Sequence, residues 1–152
     1  MGSWGIKALE SDNGLDVLDF LNGYLAEHTS ITLEGMVAVM KDEGLLGETF
    51  EDIDFLYDNT AMALAELYVE WLDTGKLAHG EENSVWTKVT DFTASQEALD
   101  FLLRYLYDIW NEVPDEDGER EIIELWRESD SWEEWSSHLD TLVMRLEREK
   151  EK

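Results

Sequence analysis

The sequence predicts an all-α fold: a single-domain bundle of about six helices joined by short loops, with at most a minor extended segment near residues 85–90. Three observations predict it. Apolar residues recur at the helical period through most of the chain. Capping and stop residues fall at the ends of those periodic stretches. Only one proline, Pro114, interrupts the 152 residues.

The first helix is expected from a cap at Asn13 to about His28, with Leu15, Leu18, Leu21 and Leu25 on one stripe. Thr32 caps a second, through Leu33, Met36, Val37 and Met40, which ends near Gly44. Thr49 with Asp52 resembles a capping box and opens the longest helix, about 50–74, whose stripe holds Ile53, Tyr57, Ala61, Leu64, Tyr68 and Trp71. Gly75 suits its C-terminal turn. Gly80 to Ser84 reads as a loop, and Val85 to Thr90 as an extended connection that could pair with Trp4–Ala8. A fourth helix follows a Thr93…Gln96 capping box and carries Leu99, Leu102, Leu103, Leu106, Ile109, Trp110 and Val113. Pro114 to Gly118 stops it. Ile122, Leu125 and Trp126 mark a fifth helix. Ser131 with Glu134 forms a capping box for the sixth, which shows Trp132, Trp135, Leu139, Leu142 and Leu146. Arg145, Arg148, Lys150 and Lys152 collect at its end, where the helix dipole is negative.

Eleven Lys and Arg stand against 37 Asp and Glu, a formal net charge of -26. Binding phosphate requires cations, so nucleic acid and anionic membranes are not expected partners, whereas a basic protein is. The charge is no tail: residues 1–76 and 77–152 each carry a net -13. Seven Trp, five Tyr and five Phe argue against disorder. With no Cys, disulfides, thiolate metal sites and Cys nucleophiles are excluded. The N-terminus has no signal-peptide core, Ile6 breaks the myristoylation pattern, and no apolar run is long enough to span a bilayer. A cytoplasmic location is expected.

Two stretches stand out as candidate sites. Between Asp42 and Gly75 the chain holds ten acids and no base, and Glu66, Glu70 and Asp73 share one helix face with Asp52 on the same azimuth. Like charges at i,i+4 are mutually destabilising, so such a row is either a solvated face or one kept for a basic partner. Trp132 and Trp135 beside a Glu pair could serve as aromatic anchors for that partner, or as core. Separately, Asp115, Asp117, Gly118 and Glu124 fall at ligand and glycine positions of a calcium-binding EF-hand loop, although Val113 stands at the first ligand position and Arg120 at one that is normally apolar. The other reading is an acidic turn. His28, His79 and His138 form no metal or triad spacing, and no nucleotide or hydrolase motif occurs, so neither catalysis nor a cofactor is expected.

Ser3-Trp4-Gly5, then Glu10-Ser11-Asp12-Asn13 and Leu15-Asp16, resemble the opening of the bacterial domain of unknown function 4259 family. Ala61-Met62-Ala63-Leu64-Ala65-Glu66-Leu67 is similar to its alanine-rich helix, and Glu124-Leu125-Trp126 with Trp135 to its C-terminal pattern. Leu9 and Gly14 depart from it, where an aromatic and Ala are usual. The resemblance implies a bacterial cytoplasmic helical domain and no activity. The favoured reading is a non-enzymatic interaction protein that docks Asp52, Glu66, Glu70 and Asp73 on a basic protein, as an immunity or inhibitor protein or a DNA mimic. The alternatives are a calcium-binding helical domain using Asp115, Asp117 and Glu124, and an acidic structural domain with no dedicated site.

Overall fold

The computed structural model describes residues 5–49, 51–77 and 85–152. Trp4, His79 and the loop expected at 80–84 lie outside them. The fold is all-α, with six α-helices among the described residues: α1 (Asp12–Glu27), α2 (Leu33–Asp42), α3 (Phe55–Thr74), α4 (Gln96–Trp110), α5 (Glu121–Arg127) and α6 (Trp132–Lys150). Two short strands, β1 (Ser30–Thr32) and β2 (Asp91–Thr93), pair in parallel, Ile31 opposite Phe92.

Helix α3 is the axle, packed against α1, α2, α4, α5 and α6. Eleven consecutive residues, Asp58 to Tyr68, are buried, so no face of that stretch meets water. Ala61, Ala63 and Ala65 let neighbouring helices approach from several sides at once. Around it Leu21 and Leu25, Met36 and Met40, Leu102 and Leu106, and Leu139 and Leu146 close one core.

Several expected boundaries move, each because a different side chain wins the cap. Ser11 rather than Asn13 caps α1: its hydroxyl accepts from the Gly14 amide at 3.0 Å and donates to the Ala8 carbonyl at 2.6 Å. The buried stripe accordingly turns to Gly14, Val17, Leu21 and Leu25, and Leu15 faces solvent. Gly14 is required there, because a Cβ would fall 2.4 Å from the Ala8 carbonyl oxygen. Asp54 caps α3 through the Leu56 amide, so the helix begins at Phe55 and not near 50. Ser95, not Thr93, caps α4. Thr93 belongs to β2, while Val85 to Lys88 form a 3-10 turn, so the extended segment begins at Asp91, just past the expected 85–90, and pairs with β1. Ser131 precedes α6 but makes no side-chain cap. Thr32 and Gly75 do cap as expected, Gly75 with φ +71°. Trp110 and Val113, expected on the α4 stripe, are exposed.

Candidate functional site

The row expected on α3 comes apart. Glu66 turns inward. Its carboxylate accepts the amides of Ala8 at 2.7 Å and Leu9 at 2.9 Å, and the Nε2–H of His138 on α6 at 2.7 Å. A carboxylate can only accept, so the proton is on Nε2. With the side chain only 4% exposed, Glu66 is an internal strut that seats the N-terminal segment on α3, not a docking acid. Asp73 is held by both terminal nitrogens of Arg145, and those bonds keep its carboxyl below the usual carboxylate range. Glu70 is half-buried beside them. Glu66, Glu70 and Asp73 thus line a hollow of about 640 Å³ together with Leu9, His138 and Arg145, in which His138 engages Glu66 and Arg145 engages Asp73.

The tryptophans are also structural. Trp135 is 1% exposed and stacks on Trp126 at 5.6 Å and 8°, which places it in the core rather than at a partner surface. Trp132 leans on Trp135 and takes the Arg127 guanidinium on its ring at 4.8 Å. That contact occupies the cation site an external Arg would use.

Asp52 lies apart from the row, and the turn at 115–117 comes to meet it. An open cleft of about 990 Å³ is walled on one side by Glu48, Glu51, Asp52 and Asp54, from the α2–α3 connection, and on the other by Asp115, Glu116 and Asp117, from the α4–α5 turn. Among the described residues none of the seven has a cation partner. Among the described residues the only Lys or Arg lining the cleft is Lys41, whose Nζ rests over the Phe101 ring at 4.4 Å. Two signals read separately in the sequence therefore converge on one surface.

The calcium arrangement does not assemble. One oxygen of Asp115 already accepts the amides of Asp117 at 2.9 Å and Glu119 at 3.0 Å, which builds the turn, with Gly118 at φ +81°. Glu124 is not among the residues lining the cleft. Among the described residues no three His, Asp or Glu side chains are grouped as a metal ion would require.

Behind the cleft lies the pair that sequence reasoning missed. Arg120 donates through Nε and Nη2 to the two oxygens of Asp58, at 2.9 and 2.7 Å, and through Nη1 to the Val113 carbonyl at 2.9 Å. Both side chains are 1% exposed. Burial pushes the Asp58 carboxyl up to about 6, while Arg120 pulls it down and Asp54 and Asp108 push it further up. The sequence did carry one signal: Arg120 occupies a position expected to be apolar.

These shifts set the direction of a pH effect. Between the ordinary 3.8 of Asp58 and about 6, the folded state holds more protons than the unfolded one, so this group's contribution to stability falls as pH rises. Fewer ionised carboxylates also weaken the self-repulsion of a -26 chain. Asp73 and Asp100 act oppositely: Arg145 and Lys150 hold them low, and their contribution fades only as pH drops below the ordinary carboxylate range. The melting temperature should therefore rise from about pH 7.5 to about pH 5.5 and fall below about pH 4. A scan showing lower stability at pH 5.5 than at 7.5 contradicts this ordering.

A family model described as a domain of unknown function (DUF4259) matches residues 2–138, so the chain belongs to that family. No curated protein and no solved structure matches the chain. Among the described residues no helix is long and apolar enough to cross a membrane.

Proposed function

We propose that this member of the DUF4259 family is a non-enzymatic interaction protein that docks the acidic cleft between the α2–α3 connection and the α4–α5 turn onto a basic protein surface. One observation carries the reading: seven carboxylates from two separate stretches of chain line one open cleft, none with a cation partner among the described residues. Crowded like charges are mutually unfavourable until a cation arrives, so a basic partner relieves a repulsion the free protein retains. The protein's whole field adds steering, which speeds encounter and weakens with salt. The partner surface that fits is strongly basic, as at the active site of a nuclease-type toxin, for an immunity or inhibitor protein, or at a DNA-binding channel, for a DNA mimic.

The test separates the cleft from net charge. Glu48→Lys, Glu51→Lys and Glu116→Lys together reverse cleft charges whose side chains make no hydrogen bond among the described residues. Asp16→Lys, Asp19→Lys and Glu27→Lys change the net charge equally on exposed sites of α1. In pull-downs from the host lysate, the first variant should lose a protein that the wild type and the α1 variant both retain, and added salt should release it. Equal loss from both variants would leave total charge, not the cleft, as the determinant.

A further inference from the structure

We infer that the Asp58–Arg120 pair is the cross-tie that sets the separation of the two acidic walls, and so positions them to engage a basic partner together. The inference rests on the docking role proposed above. One wall is built on the start of α3: Asp54 is its cap, and Asp58 lies one turn further on. The other wall, residues 113–120, is a turn closed on itself. The Asp115 amide donates to the Glu119 carbonyl at 2.7 Å, the Gly118 amide to the Asp115 carbonyl at 3.0 Å, and the Asp115 carboxylate gathers two more amides. Such a turn moves as a unit. One guanidinium grips both ends of it: Arg120 is its last residue, and Nη1 takes the Val113 carbonyl at its first. Among the described residues, the hydrogen bonds joining this turn to α3 are those of Arg120 to Asp58.

The planar fork makes the tie directional. Two parallel bonds fix both distance and angle, which a point charge would not do. The tie is also dry, with both side chains 1% exposed, so water does not compete for its donors. Surface acids of the turn thereby inherit their placement from a buried pair that no partner touches.

Replacing both members by apolar residues, Asp58→Leu with Arg120→Met, removes one acid and one base and leaves the formal charge at -26. Long-range steering is then constant, and only the geometry changes. The chain has no Cys, so Glu48→Cys and Glu116→Cys place one spin label on each wall without background. Pulsed dipolar spectroscopy should give one narrow distance in the labelled parent and a broadened or shifted one in the Leu/Met background. Without labels, affinity for a Lys-rich helical peptide should fall about tenfold or more in the Leu/Met variant, since a partner held by one wall loses close charge pairs on the other. Arg120→Lys keeps the charge, loses the fork and should shift both readouts the same way, so it serves if the double variant does not fold. An unchanged label distance in the folded variant overturns the cross-tie. A changed distance with unchanged peptide affinity overturns its role in positioning. If the wild type and the Glu48→Lys, Glu51→Lys, Glu116→Lys variant bind the peptide equally well, it is the docking role that fails.

Discussion

Asp58→Ala should destabilise the protein by about 3–5 kcal/mol, read as a shift in the chemical-denaturation midpoint at neutral pH. The size comes from what is left behind. Arg120 would keep its charge at a site where its side chain is 1% exposed, with the Val113 carbonyl as its one remaining hydrogen-bond partner among the described residues. Removing both charges should be far milder: Asp58→Leu with Arg120→Met should match the wild type within about 1 kcal/mol or exceed it, because two desolvated ions are replaced by apolar volume. The single and double variants together form the check. If Asp58→Ala costs no more than a surface change, the guanidinium has found water, and the pair is less buried than described.

Glu66→Ala should cost about 3 kcal/mol. It strands the Ala8 and Leu9 amides, which have no other acceptor among the described residues, and it frees the His138 ring. A buried amide without a partner costs about 1–3 kcal/mol, and His138, at 15% side-chain exposure, can turn toward water and contribute less. Glu66→Gln should recover only part of the loss, since its carboxamide offers one acceptor oxygen where two amides converge. Hydrogen exchange localises the effect. The Ala8 and Leu9 amides should lose protection in Glu66→Ala while the Leu102 and Leu106 amides on α4 keep theirs. Uniform loss would mean that Glu66 supports the whole core rather than the N-terminal segment.

Much of this architecture is legible from residue order. Thr32, Gly75 and the Leu and Met stripes of α2, α4 and α6 behave as helical periodicity requires, because each presents one apolar face to a common core. The reading fails where a helix has no outside. Glu66, Glu70 and Asp73 look alike at i, i+4 and i+7, yet only Glu66 lies in the enclosed stretch from Asp58 to Tyr68, and neighbours distant in sequence decide the roles of Glu66 and Asp73. Ala8 and His138 claim Glu66, and Arg145 claims Asp73. Spacing along one helix holds no information about those partners.

The candidate surface was half legible. Asp52 stands out in the sequence within a stretch of acids without a base, and Asp115 and Asp117 within a calcium-loop-like turn, but their convergence depends on how α4 and α5 fold back over the start of α3. Two polar residues just before the alanine-rich stretch, Asn59 and Thr60, do hint that α3 is lined by partners: the Asn59 amide donates to Asn13 Oδ1 at 2.6 Å and to Ser11 Oγ at 3.2 Å. Arg120 is the stronger hint. A lone cation flanked by Glu119 and Glu121 and followed by Ile122 and Ile123 points inward only if an acid waits for it, and that acid, Asp58, lies 62 residues earlier.

The central claim is that the cleft acids, rather than the total charge, engage a basic partner. Amide chemical-shift mapping during titration with a Lys-rich helical peptide at physiological salt tests it most directly. Perturbations should concentrate at Glu48, Thr49, Glu51, Asp52 and Asp54 and at Asp115 to Asp117, with the amides of Asp16, Asp19 and Glu27 unmoved. Shifts spread evenly over the acidic faces of α1, α4 and α6, with no excess at the cleft, would contradict it.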